Sequence, residues 1–169
     1  MDEQNPYRSP DALVAEVSGN DLAERGTRLG AALIDGLMMI ALILPMMFLG
    51  GYFSAAMTAA ENGEQVGFGT TLMWALIGFI AFAVVQYVPL NANGQTWGKK
   101  FLGIKIVDLA GAKPSIESLL GKRYLPWHAG VNIPFIGPLM GLANVLMIFR
   151  GDRRCGHDLI AGTRVVKAN

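Results

Sequence analysis

The sequence predicts an all-α integral membrane protein, with two transmembrane helices, a C-terminal broken helical hairpin and a small cytoplasmic strand pair. Three observations carry that prediction. The chain of 169 residues is 52% hydrophobic and only 16% charged, too apolar for an ordinary soluble domain and too short for several domains. Two long apolar runs, separated by polar turns, each match the thickness of a bilayer. The Lys and Arg residues gather in the segments that flank these runs, the asymmetry expected of cytoplasmic loops.

Residues 1–22 read as a disordered acidic tail. Asp2, Glu3, Asp11, Glu16 and Asp21 come with little apolar periodicity, so the segment buries too little surface to fold alone. Pro6, Tyr7 and Pro10 give it a short pre-extended stretch around an aromatic, which is either a docking motif or part of an uninvolved tail. The rest, 23–169, reads as one membrane domain.

The first helix covers Arg28 to Leu49. Between Leu29 and Gly51 its only ionisable residue is Asp35, a carboxylate placed within a span. Ser54, Ala55 and Ala56 could pass for a signal-peptide cleavage site, but the acidic N-terminal region and the length of the run argue against one. A turn from Tyr52 to Thr70 follows, with Glu61, Glu64 and no Lys or Arg, and should face away from the cytoplasm. The second helix runs from about Thr71 to Leu90, with Trp74 and Tyr87 at the two interfaces and Pro89 and Asn91-Ala92-Asn93-Gly94 ending it.

From Asn91 to Arg123, six basic residues face only Asp108 and Glu117, which places this loop in the cytoplasm, and both termini with it when the remaining apolar part makes an even number of crossings. Within it, Ile104 to Asp108 is β-branched and alternating, and Thr163 to Lys167 has the same character. Two such segments on one side of the membrane are expected to pair. Lys99 and Lys100, set between Trp97 and Phe101, are expected to lie on the membrane surface. Tyr124 to Phe149 is broken by Pro134, Gly137 and Pro138, so it reads as a hairpin of about Ser115 to Val131 and Gly137 to Phe149, fully crossing or re-entrant.

Taken together, three segments resemble the RDD family of small bacterial membrane proteins. They are Arg28 to Asp35 (R-L-G-A-A-L-I-D), Gly94 to Val107 (G-Q-T-W-G-K-K-F-L-G-I-K-I-V) and Asp152 to Thr163 (D-R-R-C-G-H-D-L-I-A-G-T). The resemblance implies that Arg28, Asp35 and Asp158 are the family's signature residues, with Gly98, Lys99, Arg153, Arg154 and His157 in support. It further implies a multi-pass protein of the bacterial inner membrane. Cation and proton exchange are proposed for some members.

Arg28 and Asp35 share a helix face but lie about 10 Å apart along the axis, and both lean towards the N-terminus. A direct ion pair between them is not expected. Arg28 should instead meet Asp158 at the cytoplasmic interface, while Asp35, deeper, should meet His157, Gln86, Asn132, Asn144 or water. One reading makes Asp35 a site where a proton and a transient monovalent cation compete, which gives a transport-related protein. The other makes the same residues structural, as in an assembly or scaffold subunit.

No enzyme is expected. His157 and Asp158 have no nucleophile motif beside them, and Cys155, His157 and His128 lack a zinc-ligand spacing. The glycines from Gly94 to Gly103 match neither phosphate-binding pattern, so no cofactor is expected. The single cysteine excludes an intrachain disulfide, and the spread of basic residues does not favour nucleic acid. The expected partners are the lipid bilayer and either a second copy or another membrane protein.

Overall fold

A computed structural model describes residues 21–133 and 135–168. The expected acidic tail and its Pro6–Pro10 stretch lie outside these, apart from Asp21 and Leu22, and so does Pro134 of the hairpin break.

The described chain is mostly helical. Helix α1 is Arg25–Leu49, α2 is Tyr52–Glu61 and α3 is Phe68–Asn93. A short α4, Trp97–Phe101, leads into strand β1, Ile104–Asp108. A π-helical segment, Ser118–Tyr124, runs into α5, Leu125–Val131, and α6 is Ile136–Leu146, closed by a 3₁₀ turn, Met147–Phe149. Helix α7, Gly156–Ala161, precedes β2, Thr163–Lys167.

α1 and α3 are long and apolar enough to cross a membrane, and almost none of either apolar run is buried. Leu37, Phe48, Ile80 and Val84 point outward along them. The core lies at one end, where the helices meet the strands: Ala23, Ala31, Leu90, Ile104, Ile106, Leu119 and Val165 are buried together.

β1 and β2 pair antiparallel from Ile104 opposite Lys167 to Asp108 opposite Thr163, the two segments expected from their alternation. On the other edge of β2, Leu22 pairs with Val166, and Lys167 donates its amide to the Asp21 carbonyl (2.9 Å). A lone hairpin is marginal in water. Here its inner face, Ile104, Ile106 and Val165, is sealed against α1, α3 and the π-helical segment.

Two expectations are corrected. The turn expected from Tyr52 to Thr70 contains α2, which starts after Gly51 takes a left-handed conformation (φ 77°). The second helix runs past Pro89 and its expected end near Leu90 to Asn93, and Gly94, the last of the residues expected to end it, caps it in the left-handed region (φ 66°). Proline has no N–H and leaves the carbonyl four residues earlier unpaired. That carbonyl belongs to Val85, and the Trp97 indole donates to it at 2.8 Å. A side chain from α4 supplies the missing bond, so the helix carries on.

The C-terminal hairpin follows the expected boundaries. Helical structure continues from residue 116 to 131, and a second arm begins at Ile136. Gly137 is required at the bend, because a Cβ there would lie 2.0 Å from the Val131 carbonyl oxygen.

Candidate polar centre

Two buried carboxylates organise the packed end of the molecule. Asp158 is in the first turn of α7 and is fully buried. Its Oδ2 accepts from the Cys155 amide at 2.9 Å, capping its own helix. The same oxygen is 2.5 Å from Nη2 of Arg28, which arrives from α1. Its Oδ1 is held by Nη1 of Arg123, from the π-helical segment, and that nitrogen also donates to the Thr163 hydroxyl of β2. One carboxylate therefore joins four elements.

The surrounding arginines extend the network onto the backbone. Arg28 also donates to the Arg153 carbonyl, Arg153 to the carbonyls of Leu22 and Ala23 (3.2 Å each), and Arg154 to those of Thr163 (3.1 Å) and Asp158 (3.3 Å). Burial pushes the Asp158 carboxyl pKa up, but the charges of Arg123 and Arg28 and the Cys155 amide outweigh it. The carboxyl is held well below the usual carboxylate range.

Asp35 is answered differently. Its Oδ2 accepts from the Thr96 hydroxyl at 2.5 Å, and its Oδ1 from the Gly98 amide at 2.8 Å and the Gln86 side-chain amide at 3.2 Å. Lys99 Nζ lies 3.9 Å from Oδ2 and 3.3 Å from the Thr96 hydroxyl. Gln86 is fixed in turn by the Trp97 amide, which donates to its Oε1 at 2.9 Å.

The motif from Gly94 to Lys99 explains this geometry residue by residue. Thr96 caps α4 by accepting from the Lys99 amide (3.3 Å), Trp97 clamps α3, and Gln95 bonds the Ile104 carbonyl (2.9 Å). Gly98 lets α4 touch α1, since a Cβ there would sit 2.3 Å from the Ala31 carbonyl oxygen and 3.0 Å from the Asp35 carboxylate.

Of the expected contacts, Arg28 with Asp158 and Gln86 with Asp35 form, and no Arg28–Asp35 pair is present among the described residues. The other partners expected for Asp35 are engaged elsewhere. His157 Nδ1 is 3.1 Å from Asn144 Oδ1, which also accepts from the Gly156 amide, and Asn132 donates to the His128 carbonyl (2.7 Å). Lys99, expected on the membrane surface, turns inward to Asp35. Burial lowers the His157 pKa well below 6.5, so its ring is neutral near pH 7 and does not pair with Asp158 as a cation.

Cys155, His157 and Asp158 bring potential metal-ligand atoms within 4.8 Å of one another. Asp158, however, is already shared by two guanidiniums, and Arg28 Nη2 lies 3.5 Å from the Cys155 sulfur. Positive charge occupies the place where a cation would sit.

Sequence reasoning missed Arg123 and Thr96. In the sequence Arg123 is one of six basic residues in a loop whose charge reports topology, although its place directly before an apolar run is a signal. Thr96 carries the mark of an N-cap, a hydroxyl residue three before Lys99, whose amide it receives.

Comparison with known proteins gives a consistent family. The sequence matches the RDD family over residues 22–162. It is similar to the uncharacterized proteins YxaI and YckC of Bacillus subtilis (strain 168), each 28% identical over 145 residues. YxaI aligns with 80% of this chain and 91% of its own length, and YckC with 83% and 82%. An uncharacterized protein of Haemophilus influenzae is 25% identical over 103 residues, 60% of this chain and 64% of the relative. No solved structure matches the chain at a significant level.

Proposed function

The chain belongs to the RDD family, and from that premise we propose that it is a non-catalytic assembly subunit of the bacterial inner membrane, in which Arg28, Asp35 and Asp158 are structural. In this reading α1 and α3 cross the bilayer, the α5–α6 hairpin enters it, and both termini are cytoplasmic. The outward apolar faces of α1, α3 and α6 are covered by lipid and by a second copy or another membrane protein.

One observation carries the reading: the oxygens of both carboxylates are already taken by donors from distant parts of the same chain. Asp158 holds α1, the π-helical segment and α7 together, and Asp35 holds α1, α3 and α4. Such groups act as polar glue at the end of a helix bundle.

A second reading, transport of a monovalent cation coupled to a proton, draws support from Asp35 alone. Its side chain keeps 13% exposure, its close partners are neutral donors, and among the described residues its one cationic neighbour is the Lys99 ammonium at 3.9 Å. A site of this kind can exchange a lysine for an ion more readily than Asp158 can.

The test is Na⁺, Li⁺, K⁺ and proton flux in proteoliposomes, with wild type and Asp35→Asn at matched incorporation. The assembly reading expects no flux from either. Flux in the wild type that vanishes in a folded Asp35→Asn variant would replace it with the transport reading.

A further inference from the structure

The adjacent lysines of α4 are sorted to opposite environments. Lys99 is turned inward to Thr96 and Asp35, whereas Lys100 is exposed, its ammonium 5.1 Å above the Trp97 ring. Among the described residues no carboxylate lies within ion-pair distance of Lys100. Phe101 beside it is 80% exposed, with no core for its ring to enter.

This outward face is held rigidly. Trp97 is fixed to α3 through the Val85 carbonyl and Gln86, and Gly98 is fixed to α1 through Asp35. Val85 lies eight residues before the end of α3, so the indole sits about 12 Å inside that helix end. Its neighbours there, Val84 and Val88, point outward. An exposed phenylalanine, a half-exposed tryptophan and an ammonium without a carboxylate partner among the described residues are thus presented together at the edge of an apolar surface. The rings suit hydrocarbon and the ammonium suits an anion, a combination that an anionic phospholipid at the membrane interface supplies in one molecule.

We propose that the Trp97–Lys100–Phe101 face of α4 binds the headgroup of an anionic phospholipid, with Lys100 on its phosphate and the aromatic side chains against its acyl region. The assignment rests on the membrane reading above. It names a lipid partner for a helix whose inner face is used for Asp35. The indole orients the ammonium from below, leaving its other hydrogens for the phosphate.

The experiment uses the full chain in phosphatidylcholine nanodiscs with a minor fraction of spin-labelled phosphatidylglycerol or spin-labelled phosphatidylcholine. The motionally restricted fraction of each label gives the relative affinity. The wild type should prefer phosphatidylglycerol about fivefold, the effect of one well-placed cation near the surface. Lys100→Gln should lose most of that preference while melting with the wild type, and Lys122→Gln, an exposed lysine on a different element, should keep it.

A wild type without preference overturns the proposal and leaves Lys100 for an acidic protein partner. So does a preference that survives Lys100→Gln or falls equally in Lys122→Gln. If the chain does not enter the discs at all, the membrane reading fails as well, which separates the two failures.

Discussion

Asp35 and Asp158 are both buried carboxylates at the packed end of one small chain, yet one is surrounded by neutral donors and the other by two guanidiniums. Around Asp158, Arg28 and Arg123 set two formal positive charges against one negative, in a site closed to water. Around Asp35 a hydroxyl, a side-chain amide and a backbone amide do the work, with a lysine at the margin. The difference teaches that a shared signature need not mean a shared role. Asp158 is an ionised clamp between two arginines, whereas Asp35 is an anchor held mainly by neutral hydrogen-bond donors.

The largest expected effect comes from removing the clamp's charge. Asp158→Asn leaves two buried guanidiniums facing an amide, and breaking a buried pair in this way costs about 3–5 kcal/mol. A melting transition in mild detergent lowered further than that of any other variant below should follow.

Gly98→Ala should come next. Its new Cβ would overlap the Ala31 carbonyl oxygen, so α4 must move off α1, at about 1–3 kcal/mol for an overpacked site. Melting experiments read the loss, and a substitution that melts with the wild type would show that α4 is not seated as described.

Asp35→Asn should cost less, about 1–2 kcal/mol, because the amide keeps one acceptor oxygen and the donors around it are neutral. The variant should accumulate and melt as one species slightly below the wild type.

The smallest effect is a pH dependence. The Asp158 pKa is depressed, so its contribution is complete above the unfolded value and is lost only as pH falls below about 3.9, leaving no slope from this group near neutrality. The His157 pKa is also depressed by burial. Below 6.5 the unfolded chain takes up a proton that the folded ring refuses, and stability falls with pH. The melting temperature should therefore drop modestly between about pH 7 and about pH 5. His157→Gln should flatten that slope.

Much of this arrangement is legible in the sequence, because it rests on local pattern. The β-branched alternation of Ile104 to Asp108 and Thr163 to Lys167 gives the strand pair, and the glycine and proline cluster around Gly137 gives the hairpin. Counting turns along α1 separates Arg28 from Asp35 and sends each to a different partner. What is not legible depends on distant groups. Pro89 reads as a helix end because nothing nearby reveals that Trp97 will take the freed Val85 carbonyl. Lys99 and Lys100 are indistinguishable in the sequence, and only the packing of α4 on α1 turns one inward. Arg123 looks like a topology marker until the fold buries it against Asp158.

The contrast between the two carboxylates is measured most directly by two double-mutant cycles under the same conditions in detergent, Arg123→Met with Asp158→Asn and Lys99→Met with Asp35→Asn. The account predicts a coupling of several kcal/mol, on the order of 3, for the buried pair and less than about 1 for the lysine pair. Equal couplings, or a larger one at Asp35, would contradict it and make Asp35 the centre on which the molecule depends.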